Sequence, residues 1–136
     1  MKRSEFTLRL VVEGTVAPSE ESDKVLRAIE NVLGNCVHKV EKTPGAVRVV
    51  SEDPRCLDLV RDQLRDRRVR ATARRLFLAN AEGKRTTVML NRQAAFAGVV
   101  VLCGSESESP LGPLYMTAAS EELESLIEWL TAYSSG

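Results

Sequence analysis

At 136 residues and 15.0 kDa, with 43% apolar and 28% charged residues, the chain has the size and composition of one folded domain, and disorder is excluded. No apolar run approaches the roughly 18 residues of a membrane span, and Met1-Lys2-Arg3-Ser4-Glu5 leads into an alternating segment and not a signal-peptide core, so no membrane and a cytoplasmic location are expected. Net charge is zero; the one histidine, His38, cannot make a histidine zinc site, and the odd set Cys36, Cys56 and Cys103, without C-x-x-C, predicts free thiols in a reducing cytosol, no disulfide framework and no metal or other cofactor.

Phe6, Leu8, Leu10 and Val12 alternate with Thr7, Arg9, Val11 and Glu13, which predicts a half-buried strand over 6–16. Pro18 ends it, and Ser19 is the expected N-cap of a helix that carries Val25, Ile29, Val32 and Leu33 on one stripe. Gly34 stands where a helix C-cap favours positive φ. Strands over 36–42 and 46–51 are expected next, joined through Pro44-Gly45. Cys36 and His38 share a strand face with no third group to orient them, so both are read as structural.

Asp53-Pro54 is a second helix start, with a capping carboxylate ahead of proline at the first helical position. Leu57, Val60 and Leu64 make one stripe, and Val69, Thr72, Ala73 and Leu76 make another. At about 100° per residue the two are out of phase by more than a third of a turn, so a break near Arg67-Arg68 is predicted. Residues 84–90 read as a strand, 91–98 as a short helical turn, and the apolar run Val99 to Cys103 as a central strand. The 104–113 loop then leads to a strand ending near 118, and Ser120 caps a last helix bearing Leu123, Leu126, Ile127 and Leu130. These elements predict a single α+β domain over 1–136. Its expected form is a two-layer sandwich, a mostly antiparallel sheet with helices packed on one face.

The zero net charge hides a segregation. From Arg55 to Arg92 there are eleven cations against four anions, a net +7, and the remainder carries −7. Such asymmetry points to a polyanion-facing side, and arginine's planar fork suits phosphate oxygens. The alternative is a solvated helix face laced by Asp58–Arg61, Asp62–Arg65 and Asp66–Arg70, which leaves Arg67, Arg68, Arg74 and Arg75 without local partners. Gly83-Lys84-Arg85-Thr86 lacks the first glycine and the hydroxyl of a phosphate-binding loop, and no G-x-S-x-G is present, so no enzyme is expected. The glutamates and serines of 104–109 suit either a solvated loop or a small hard-oxygen site. Trp129 and Tyr133, one turn apart, fit edge packing or a partner surface.

The run Arg85-Thr86-Thr87-Val88-Met89-Leu90-Asn91-Arg92-Gln93-Ala94-Ala95-Phe96-Ala97-Gly98, followed by Glu108-Ser109-Pro110-Leu111-Gly112-Pro113, resembles uncharacterised protein family 0201, small archaeal proteins. The likeness extends over essentially the whole chain, including Pro18, the first helix and Ala73-Arg74-Arg75. Its most specific pieces are N-x-Q-A-A-F and S-P-L-G-P. The family pattern commonly has lysine where this chain has Arg92. The resemblance implies RNA binding and a fold similar to the large-subunit ribosomal protein that docks the five-S RNA, with no catalytic residues to carry over. A fold-level likeness does not by itself fix a function.

Two readings follow. In the first, Arg67, Arg68, Arg70, Arg74 and Arg75 contact phosphates of structured or double-stranded RNA, Lys84, Arg85 and Arg92 extend the track, and Asn91 and Gln93 add amide contacts. In the second, the protein is a protein–protein interaction module or a homodimer, whose acidic and basic poles pair between molecules. A third, minor reading makes the 91–98 turn and the 104–113 loop a small-molecule cleft of an enzyme.

Overall fold

The computed structural model describes residues 6–132. Strands β1 (Arg9–Thr15), β2 (Lys39–Thr43), β3 (Ala46–Ser51), β4 (Ala81–Glu82), β5 (Arg85–Leu90), β6 (Leu102–Cys103) and β7 (Leu114–Ala119) form one antiparallel sheet in the order β2-β3-β1-β7-β5-β4. Because β7 occupies one edge of β5, β4 and β6 share the other, β4 opposite Arg85 and Thr86 and β6 opposite Met89 and Leu90. Helices α1 (Ser22–Leu33), α2 (Asp58–Asp66), α3 (Arg70–Ala79), α4 (Arg92–Phe96) and α5 (Leu123–Leu130) complete the expected α+β sandwich.

Strand alternation sorts the sheet into a wet and a dry side. Leu10, Val12 and Gly14 of β1 lie in register with Ser51, Val49 and Val47 of β3, and Leu10 and Val12 with Ala118 and Met116 of β7. Thr86, Val88 and Leu90 continue the buried side on β5. Val25, Ile29, Val32, Val60, Leu64, Phe77, Leu126 and Ile127 from the helices meet this side in one core. Each such side chain contributes roughly 1.5–3 kcal/mol by burial. Gly14 permits the close approach of α1, since a Cβ there would lie 2.8 Å from both Val25 Cγ1 and Leu114 Cδ2. The opposite side, with Arg48, Glu13, Tyr115, Thr117 and Arg85, is open or half-open.

The expected break between α2 and α3 is present. Arg68 takes φ 57, and the Val69 N–H returns to the Leu64 carbonyl at 3.2 Å, closing α2 before α3 opens at a new angle. Gly34 caps α1 at φ 67. Asp53 accepts from Arg55 N–H at 3.1 Å, but it opens a 3₁₀ turn over Pro54–Leu57 before α2 begins.

Four expectations are corrected. Helix α1 opens at Ser22 without a side-chain cap, because Glu20 is held outside it by the Ala17 N–H, 2.9 Å from Oε1, which leaves Glu21 at the N-cap. The run 99–103 is not a central strand: Gln63 takes Val100 N–H at 2.7 Å and gives its amide to Gly98 O at 2.8 Å. Only Leu102 and Cys103 pair with the sheet, at its edge. Strand β2 starts at Lys39 and not at Cys36, because Val37 gives its N–H to the Asp53 carboxylate at 2.9 Å and its carbonyl accepts from Ser51 Oγ at 2.5 Å, and Cys36 is joined to Cys56 in a disulfide with Cα atoms 5.2 Å apart. Cys103 is the free cysteine, buried, so the compartment argument built on three free thiols falls. Among the described residues, no helix is long and apolar enough to cross a membrane.

Candidate nucleic-acid interface

Helix α3 buries Ala73 and Phe77 and turns Arg74 and Arg75 outward, a direct result of the phase shift at Arg68. Arg68 and Arg74 are exposed and form no ion pair among the described residues. Arg75 is exposed, and among the described residues only the Thr72 hydroxyl accepts from it, at 3.5 Å. Arg67 closes α2 and gives its guanidinium to the Val100 carbonyl, and half-buried Arg70 gives Nη1 to Ala132 O at 3.5 Å. These two carry charge to the face while anchoring it. Local pairing occurs one turn earlier, where Arg65 reaches Asp62 at 3.5 Å and Asp66 at 3.3 Å.

The rest of the predicted set does not join this face. Lys84, in the turn between β4 and β5, is paired with Glu121. Arg85 opens β5, opposite Ala119 on β7 and Glu82 on β4, which places it on the open side of the sheet, away from the helical layer. Gln93 is exposed on α4, which packs against α1. Asn91 caps α4 through Ala94 N–H at 2.9 Å and gives its amide to Glu108 O at 3.1 Å, so both ends of its side chain are engaged within the fold.

Arg92 is withdrawn from the phosphate set. It is 5% exposed, its Nη1 lies 3.1 Å from both Glu20 carboxylate oxygens and 2.7 Å from Thr15 O, and its Nη2 lies 3.3 Å from Thr15 Oγ1. Sequence reasoning missed this pair because 72 residues separate its members and Glu20 lies in a loop.

Other candidates resolve into packing. Trp129 lies 5.4 Å from Phe6 between ring centroids, with the Arg61 guanidinium 4.9 Å over its ring and Arg61 Nε donating to its carbonyl at 2.9 Å. It is an edge-packing residue; Tyr133 lies outside the described residues. His38 sits with Nε2 2.9 Å from Glu30 and Nδ1 3.0 Å from Cys36 O, a structural role as expected. Burial, then the Glu108 carboxylate, push the Cys103 thiol up, which suppresses the thiolate. Glu108 also accepts from Gly104 N–H at 2.5 Å, so this carboxylate of the acidic loop is engaged within the loop.

Comparison with known proteins fits this architecture. No family model matches the chain. A UPF0201 protein from Metallosphaera sedula is 35% identical over 128 residues, 93% of this chain and 90% of that protein. One from Sulfurisphaera tokodaii is 37% identical over 125 residues, 90% of this chain and 86% of that protein. The chain belongs to the UPF0201 family. A crystal structure of a UPF0201 protein superimposes with a TM-score of 0.75 at 25% identity, covering 94% of this chain and 97% of the other. The UPF0201 protein from Methanococcus jannaschii gives 0.72 at 20% identity, with 94% and 96% covered, a likeness of fold. The overall fold is thus shared with UPF0201 proteins.

Proposed function

We propose that the protein binds structured RNA through its phosphate backbone, using the outer face of α3 and the α2–α3 joint, without catalysis. The observation that carries this reading is the set Arg68, Arg74 and Arg75, three exposed guanidinium groups on neighbouring turns with no carboxylate partner among the described residues. Arg67 and Arg70 flank them. The likeness to a ribosomal protein that the family resemblance implies agrees with an RNA partner.

Such a face reads shape and charge, so it favours duplex or folded RNA over a particular sequence. With about four to six phosphates engaged, the logarithm of affinity falls with the logarithm of salt at a slope of roughly −3 to −5. Filter binding across a salt series, on protein stripped of carried-over nucleic acid, measures that slope for duplex, single-stranded and folded RNA. Replacing Arg68, Arg74 and Arg75 together by Gln weakens binding alike for all sequences and flattens the slope by about 2 to 3. Parent-like binding by that variant removes the face. Absence of RNA binding even at low salt leaves the pole-to-pole homodimer as the better account of the charge segregation, and sedimentation at low salt then shows a dimer.

A further inference from the structure

A cleft of ≈ 400 Å³ lies between α1, α4 and the turn at 109–112, a volume in the lower part of the small-molecule range. The arginine face plays no part in it. Lys24, Val25, Phe96, Arg92, Leu111 and Glu20 are among its lining residues. Two segments singled out in the sequence, N-x-Q-A-A-F and S-P-L-G-P, meet here. Arg92 N–H donates to Ser109 Oγ at 3.0 Å, and Asn91 donates to Glu108 O at 3.1 Å, tying the turn to α4 across seventeen residues.

Three features of this cleft are unaccounted for by folding alone. Leu111 has φ 67, a conformation that glycine adopts readily and leucine does not, and its side chain is 60% exposed on the cleft wall. Strain of this kind is concentrated at functional positions, where the surrounding structure holds it in place. Arg92 reaches the wall with its Nε buried and unpaired, although its terminal nitrogens are satisfied by Glu20 and Thr15. Lys24 stands exposed at the wall, with no ion pair among the described residues. Charge there sums to one excess cation, Lys24 and Arg92 against Glu20.

We propose that this cleft binds a small organic acid, a monocarboxylate on an apolar body. The body lies against Val25, Phe96 and Leu111, and the carboxylate is held by Lys24 in the field of Arg92. A dianion such as phosphate is disfavoured by the Glu20 carboxylate on the same wall.

The test is titration of the intact chain with hexanoate and with phenylpropionate, followed by amide chemical shifts and calorimetry. Hexanol, hexanamide and inorganic phosphate serve as controls. The carboxylates bind with a dissociation constant of about 1 mM or below and move the resonances of Lys24, Phe96 and Leu111, while the controls bind about tenfold more weakly or not at all. Leu111→Gly keeps or raises the melting temperature and weakens the acids by about tenfold; Lys24→Gln weakens them similarly. Unmoved cleft resonances at about 10 mM acid overturn the proposal, as do hexanol binding as well as hexanoate or parent-like binding by Leu111→Gly. None of these outcomes depends on the arginine face.

Discussion

Arg92 carries its charge into the interior. Its partner Glu20 has a side chain only 15% exposed, and the pair ties the loop after β1 to the start of α4. Removing one member of such a pair leaves the other charge desolvated and unmatched, which costs more than the pair itself contributes. Arg92→Met therefore lowers stability by about 3 kcal/mol in urea unfolding, and adding Glu20→Gln recovers part of the loss. RNA affinity of the folded Arg92→Met protein stays at the parent value, because the guanidinium has no path to a phosphate. A loss of affinity larger than the unfolded fraction explains would return Arg92 to the RNA-contacting set. The sequence shows Arg92 only as the last cation of a basic window. Its charge was legible and its burial was not, since burial is decided by a carboxylate 72 residues away.

The corner where β3 leads into α2 shows how an element depends on groups outside it. Asp53 accepts from Arg55 N–H at 3.1 Å and from Val37 N–H at 2.9 Å, and meets the Arg55 guanidinium at 2.9 Å. The Arg55 side chain, and then the two N–H donors against a burial penalty, hold its carboxyl well below the usual carboxylate range. A group whose folded value is depressed stabilises the fold above its unfolded value, about 3.9, and loses that contribution as pH falls toward the folded value. Asp53→Asn thus costs about 1 kcal/mol at neutral pH, a difference that closes as pH is lowered below about 3.9 in unfolding curves. Beside it, the Cys36–Cys56 bond closes a loop of sequence separation 20. Reduction lowers stability by about 3 kcal/mol and the melting temperature by roughly 10 °C, read by calorimetry with and without dithiothreitol. Asp53-Pro54 was legible as a start signal because capping is local. The disulfide was not, because no spacing rule links a cysteine after one helix to a cysteine before the next.

For the molecule as a whole, periodicity revealed most of what packing uses. The alternations at 9–15, 46–51 and 85–90, and the phase slip at Arg68, come directly from residue order, so fold class and the break in the helical layer could be read in advance. The failure at 99–103 has a definite cause. An apolar run announces burial, not pairing, and here Gln63 takes over backbone groups a neighbouring strand would have used. The site was legible as a charge pattern but not as a surface. Arg68, Arg74 and Arg75 remain together, while Arg85 goes to the other side of the sheet and Arg92 goes inside.

The place of β1 in the sheet has a consequence for synthesis. It pairs with β3 along one edge and with β7 along the other, so its two neighbours are made at very different times. Once residue 51 has emerged from the ribosome, β1, β3 and α1 can assemble, yet the second edge of β1 lies bare until residue 119 follows. At roughly 5–20 residues per second that interval is about 3 to 14 s. Throughout it the nascent chain offers an unpaired strand edge of the kind that recruits wrong partners. The last strand therefore closes the sheet from its middle, and slower translation between β3 and β7 lengthens the exposure.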